Sequence, residues 1–305
     1  MTGFVIVDKP AGMTSFGVVA KIRGMSGIKK VGHAGTLDPD ATGVLPVFLG
    51  GATRFIDLLP EHDKRYTATL LLGQTTDTQD TTGTVLRTRP IAAGKDQVER
   101  ALAGFVGKQK QIPPMYSAVK QDGKRLYQLA RAGVEVERPA RNVEIHEINL
   151  LEWDEPVGRY IIDVRCSKGT YIRTLCHDLG ERLGCGGVME NLRRTSACGY
   201  SLQGALTLDA LQVLTDQGRF EEALMSICLP FTHLPELVLD ERCARLFGNG
   251  VRLELSYPGV RSGQRPYVDG DRVAVFGPSP EDYGYNFLGL AIANKGLLWH
   301  LRLLT

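Results

Sequence analysis

The chain has 305 residues, 43% of them hydrophobic and 23% charged, with a formal net charge of +2. That is a globular composition with room for a sizeable core and more than one domain, and it excludes disordered and fibrous classes. No apolar run approaches the ~20 residues of a membrane span, and the opening MTGFVIVDKP, broken by Asp8, is too short for a secretory signal, so a soluble, cytoplasmic protein is expected.

In chain order, GFVIVDKP reads as a short strand ended by a proline turn. Thr14 and Ser15 can cap a helix whose apolar positions Val18, Val19 and Ile22 recur at helical spacing. VLPVFLG reads as a strand, GATRFIDLL as a short helix and RYTATLLLG as a strand. An amphipathic helix is predicted over 95–106, closed by Gly107, and a helix over 175–183, closed by Gly184. Between them, RYIIDVRCSKG alternates as a half-buried strand does. Strands and helices do not alternate with βαβ regularity, so the expected fold class is α+β, built on a mixed sheet. The texture changes near Thr232. Residues 1–232 read as one large domain and 233–305 as a small β-rich module with a short helix over 240–247.

The six cysteines form no C-x-x-C pair and no Cys/His cluster with zinc spacing, so they read as buried thiols of a reducing cytosol. Also absent are G-x-x-x-x-G-K-[ST], G-x-G-x-x-G after a strand, H-E-x-x-H and G-x-S-x-G. Nucleotide hydrolysis, dinucleotide cofactors, zincin chemistry and the serine-hydrolase elbow are all disfavoured.

One stretch raises a question of chemistry: GHAGTLDPDATGVLPVFLG, residues 32–50. Pro39 pushes Asp38 out of helical geometry, and Thr36, Asp38, Asp40 and Gly43 are all turn formers. An Asx turn would explain either carboxylate. Two acids this close could suggest a metal, but no third hard oxygen ligand is in register, and no metal is expected.

Laid along the chain, VDKPAGMTSFGVVAKIRG (7–24), KVGHAGTLDPDATGVLPVFLGGATRF (30–55), DKRYTATLLLGQTTDTQDTTG (63–83), PPMYSAVKQDGKRLYQLARAG (113–133), CSKGTYIRTLCHDLG (166–180) and LRRTSACGY (192–200) resemble the TruB family of tRNA pseudouridine synthases. The resemblance is collinear over most of residues 3–230. It implies a mixed-sheet pseudouridine synthase domain with Asp38 as the catalytic carboxylate. The implied reaction breaks N1–C1′ of a uridine and joins C5 to C1′. Because the leaving base is kept and recaptured, a second acid is less necessary than in glycoside hydrolysis, and water must be excluded. The reaction is an isomerisation and requires no cofactor. Whether Asp38 attacks the base, attacks the sugar or removes a sugar proton stays open.

The resemblance also places Tyr66, Tyr171, Arg173 and Leu192 at the substrate. Asp38 must be ionised to act, and Arg173 is the candidate cation; if GTYIR is extended, Tyr171 and Arg173 project to one face. Tyr66 would stack on uracil and assist proton removal at C5, and Leu192 would pack on the base. His33 is implied to contact the RNA and Lys9 to be a structural or phosphate-facing residue near the pocket, while Lys64 flanks the site. Residues 108–141 carry eight Lys/Arg and three Asp/Glu, a formal +5 that leaves −3 for the rest of the chain. With Tyr116 and Tyr127 interleaved, this segment has the makings of an RNA-facing surface, and Lys120, Lys124 and Arg125 are its candidate contacts. The resemblance makes it a mobile clamp on a flipped-out uridine, at position 55 in the T-arm loop of tRNA, and makes 233–305 a PUA-like RNA-binding module. The expected protein works as a monomer without a protein partner or a membrane. Two other readings are an RNA-binding protein that keeps the fold without the chemistry, and a guide-RNA-dependent relative; the latter usually carries terminal extensions, which are not expected here.

Overall fold

The computed structural model describes residues 1–121, 123–263, 265–279 and 285–304. Asp122 of the basic segment and Gln264 lie outside the described residues. Among the described residues a nine-stranded mixed sheet forms the larger part of the molecule. Its main path runs Gly3–Lys9, Thr42–Leu49, Gly187–Ala197, Lys64–Leu72, Arg159–Cys166, Arg141–Asp154 and Gly107–Gln111. Val31–His33 pairs with Thr42–Leu49, and Tyr200–Ser201 with Gly187–Ala197. The α+β expectation holds: most neighbours are antiparallel, and Gly187–Ala197 meets Thr42–Leu49 in parallel, with Arg194 opposite Gly43.

Local sequence accounts for these elements. In Lys64–Leu72 every second residue from Tyr66 to Leu72 is buried, the period of a half-covered strand. Thr42–Leu49 is buried along nearly all its length, as befits a strand covered on both faces. Thr14 caps the helix Ser15–Ser26 by accepting from the Gly17 amide at 2.9 Å, and Gly27, at φ 69°, ends it. Ser15, proposed as a second cap, instead turns inward to Leu37, 3.0 Å from its carbonyl and 2.8 Å from its amide.

Two helix bounds differ from expectation. The first runs Lys95–Ala103 and is capped by Gly104, because residue 107 begins the edge strand Gly107–Gln111 and the chain must already have turned. The second runs Ile172–Arg182, three residues earlier than its apolar spacing suggested. The cause is remote in sequence: the Gln111 side chain accepts from the Tyr171 amide at 2.7 Å and donates to its carbonyl at 3.0 Å. That fixes Tyr171 as the residue before the first turn. Arg173 is therefore helical, and the shared strand face expected for Tyr171 and Arg173 does not exist.

A second, six-stranded sheet begins at Glu236–Leu239 and carries the helix Glu241–Gly248, which Asp240 caps. Its Ala274, Phe287 and Leu290 are buried in the same cluster as Phe4, Phe48 and Phe55 of the larger part. Among the described residues no helix is long and apolar enough to cross a membrane.

Candidate active site

A cleft of about 1190 Å³ opens on the large sheet, and Asp38, Lys64, Tyr66, Tyr171, Arg173, Leu192 and Arg125 all line it. The sequence places these seven up to 154 residues apart (Asp38 to Leu192); the sheet order brings them together. Asp38 lies between two anchored neighbours. Leu37 is held by Ser15, and the Pro39 carbonyl accepts from Lys9 Nζ at 2.8 Å. The turn is real, since the Ala41 amide donates to the Asp38 carbonyl at 3.2 Å, but that bond uses the main chain. The side chain is left for the cleft, where it is 41% exposed.

There Arg173 meets it. Arg173 Nε is 3.0 Å from Asp38 Oδ2 and Nη2 3.3 Å from Oδ1, a side-on pair. The guanidinium is itself fixed by donating to the Thr78 carbonyl at 3.1 Å and the Tyr116 carbonyl at 2.8 Å. Asp80, which sequence reasoning missed, approaches Arg173 Nη1 at 3.6 Å. Its other oxygen accepts from Thr78 Oγ1 and Thr82 Oγ1 at 2.7 and 2.6 Å. Nothing in TTDTQDTTG marks that acid out from an ordinary hydroxyl-rich turn. Burial pushes the Asp38 carboxyl above the usual carboxylate range, Arg173 opposes the rise, and Asp80 adds to it.

Tyr66 is 6% exposed, and burial pushes its phenol up to about 12. A phenol so placed is neutral at rest. It can stack on a base and donate a hydrogen bond. Leu192 is half-buried on the Gly187–Ala197 strand, opposite Ala68.

The remaining expectations divide. Lys64 Nζ donates to the His62 carbonyl at 2.6 Å and lines the cleft, its pKa lowered by burial. Arg125, Arg131 and Lys168 line the same cleft, together with the acids Asp40, Asp57, Asp77 and Glu190. Lys120 and Lys124 are exposed on the small hairpin of Lys120–Gln121 and Lys124–Arg125, outside the cleft wall. His33 is on a short strand and does not line the cleft; it lies edge-on to Phe16, a lining residue, with ring centres 5.4 Å apart. Burial lowers its pKa. Lys9 is corrected. It is 0% exposed, and its Nζ donates to the carbonyls of Pro10, Met13 and Pro39, so it has no surface to offer a phosphate and holds the Asp38 turn instead. No group of His, Cys, Asp and Glu among the described residues is arranged to hold a metal ion.

Comparison with known proteins places this arrangement. Residues 23–172 match the description TruB family pseudouridylate synthase (N terminal domain), and residues 173–234 match tRNA pseudouridylate synthase B C-terminal domain. Proteins named tRNA pseudouridine synthase B are similar over most of the chain. That of Alkaliphilus oremlandii is 46% identical over 84% of this chain and 84% of its own. That of Bacillus subtilis is 41% identical over 93% and 95%, and that of Burkholderia lata 42% identical over 100% and 91%. Among solved structures, a Cbf5–Nop10–Gar1 complex superposes with a TM-score of 0.70 at 26% identity, over 99% of this chain and 85% of that one. Matches that run through the Asp38 turn, the Tyr66 strand and the Arg173 helix leave one assignment: the chain belongs to the TruB family of pseudouridylate synthases.

Proposed function

We propose that this protein converts a uridine in the T-arm loop of tRNA, position 55, to pseudouridine, with Asp38 as the catalytic carboxylate. The observation that supports it most is the Asp38 carboxylate held side-on by a nearly buried Arg173 at 3.0 Å inside a cleft large enough for a nucleotide. Paired with Arg173, such a carboxylate is held in its charged form for attack or proton removal, and a nucleotide filling the cleft would displace the water that would divert a reactive sugar centre. Tyr66 and Leu192 pack on the extruded base, and Tyr171 walls the cleft beside them. Lys64 and Arg125 meet the backbone, Lys120 and Lys124 extend that basic surface, and His33 supports it through Phe16. The protein acts in the cytoplasm as a monomer, without cofactor or protein partner. The 233–305 module adds RNA surface as a PUA-like unit.

The test is purified protein alone with unmodified tRNA and with an isolated T-arm stem-loop, followed by mapping of pseudouridine. Product at position 55 in both is expected. Modification confined to anticodon-arm or ribosomal uridines would overturn the reading. The likeness to a chain solved with Nop10 and Gar1 supports a second reading, action through partners; product that forms only when such factors are added would select it.

A further inference from the structure

Arg194 is a buried charge across from Tyr66. It is 0% exposed on the Gly187–Ala197 strand, two residues beyond Leu192. Tyr66 is its direct cross-strand neighbour, so the two side chains share one face of the sheet. Arg194 Nε donates to the Val44 carbonyl at 2.7 Å and Nη2 to the Gly35 carbonyl at 3.1 Å. One guanidinium thus ties both ends of the stretch that carries Asp38. Its neighbour Arg193 pairs with Asp8 at 2.8 Å. Arg194, by contrast, has no carboxylate partner among the described residues, and its Nη1 has no hydrogen-bond partner there.

An unpaired guanidinium is costly to bury, and the groups around it do not relieve the cost. Tyr66, Lys64, Cys198, His33 and Lys9 face it, and none is an anion at neutral pH. The reaction supplies the missing charge. Where Asp38 works at the sugar, N1–C1′ breaks with its electron pair on the uracil, spread over N1, O2 and O4; where it has added to the base, the pair rests on N1 and O2. When C5–C1′ forms, C5 loses its proton and N1 gains one, so the isomerisation balances.

Resting on the function proposed above, we propose that Arg194 is a positioning residue. Its Nη1, unpartnered in the resting protein, donates to the Tyr66 hydroxyl oxygen once the uridine is bound, which turns the Tyr66 O–H toward a uracil oxygen. The departing base is then met by a donor backed by a buried cation, in a chain whose members polarise one another. This goes beyond stacking, and it gives Tyr66 the role of donor in place of base.

A double-mutant cycle tests it, read as single-turnover rate on the T-arm stem-loop for wild type, Tyr66→Phe, Arg194→Lys and the pair. Each single change is expected to slow the reaction roughly 100-fold, the scale of one lost transition-state donor. The pair should be no slower than the worse single change. Losses that multiply mean that Arg194 merely ties the 35–44 stretch, and the proposal fails. A second measurement needs no Arg194 variant: 3-fluorotyrosine at position 66 is a stronger donor and a weaker base, so a faster single turnover is expected, and an unchanged or slower one overturns the proposal. Wild type that makes no pseudouridine sinks the functional reading and this one together. Active wild type with multiplying losses sinks this one alone.

Discussion

Arg173 grips Asp38 from the side, Nε to Oδ2 at 3.0 Å and Nη2 to Oδ1 at 3.3 Å, while the same guanidinium is tied to the carbonyls of Thr78 and Tyr116. The cation is thereby anchored before any substrate arrives, and the carboxylate is oriented without reorganisation. Asp38→Asn keeps the size of the side chain, and the turn survives because its bond uses the main chain. The variant is expected to fold and bind tRNA but form no detectable product in single turnover with enzyme in excess. Asp40→Asn, an exposed neighbour with the same charge change, should react at the wild-type rate. A wild-type rate for Asp38→Asn would return that residue to being a turn former.

The pH dependence has a definite sign. On the proposed function the reacting form of Asp38 is the carboxylate, so activity should fall as pH drops through its pKa, which burial has moved above the ordinary value of about 3.9. Arg173 opposes that rise. In Arg173→Gln the acid limb should therefore move to higher pH, with loss at neutral pH of roughly tenfold for every unit by which the limb passes the assay pH. Arg173→Lys, which keeps charge without the side-on pair, should lie between. The check is a single-turnover pH profile of all three proteins; a limb that stays in place or moves down in Arg173→Gln removes the electrostatic role from Arg173.

Legibility in the sequence followed the range of the interactions. Alternation alone made the Lys64–Leu72 strand readable, since burial of every second residue is a local property. Asp38, Tyr66, Tyr171, Arg173 and Leu192 were found through motif resemblance, and they line one cleft. The start of the Ile172–Arg182 helix was not readable, because it depends on Gln111, sixty residues earlier. The sequence leaves Lys9 between a structural and a phosphate-facing role, and only the closing of the Pro39 turn over it decides for the first. Arg193 and Arg194 are indistinguishable as adjacent letters. Strand register decides that one reaches Asp8 and the other lies across from Tyr66.

The basic segment yields a prediction about affinity. Lys120 and Lys124 are exposed, and Arg125 reaches the cleft wall, where it lies 5.9 Å from the rings of both Phe16 and Tyr127. Neutralising the three together should weaken tRNA binding and lower the slope of log K against log salt by roughly one unit or less per lost phosphate contact. Turnover at saturating RNA should change far less. Binding titrations across a salt series decide it, and an unchanged slope would mean that these charges face only solvent.

The last prediction concerns the join between the two sheets. Phe287 of the second sheet lies 5.6 Å from Phe55 and 6.2 Å from Phe231, ring centre to ring centre, and is 7% exposed. Arg54 reaches the Leu303 carbonyl at 3.4 Å beside them. At Gly51 an added Cβ would lie 2.0 Å from the Leu304 carbonyl oxygen, so the chains touch there at a distance only glycine permits. Apolar side chains shared in this way belong to one core, and removing one should loosen both sheets. Phe287→Ala is expected to cost about 3–5 kcal/mol and to lower a single melting transition seen alike by far-UV circular dichroism and by fluorescence. Trp299→Ala, at a side chain 37% exposed under Arg252, should cost much less. If Phe287→Ala instead splits melting into two transitions, with the Asp38 cleft still binding RNA after the first, the second sheet is an independent unit and the shared core is not what holds it.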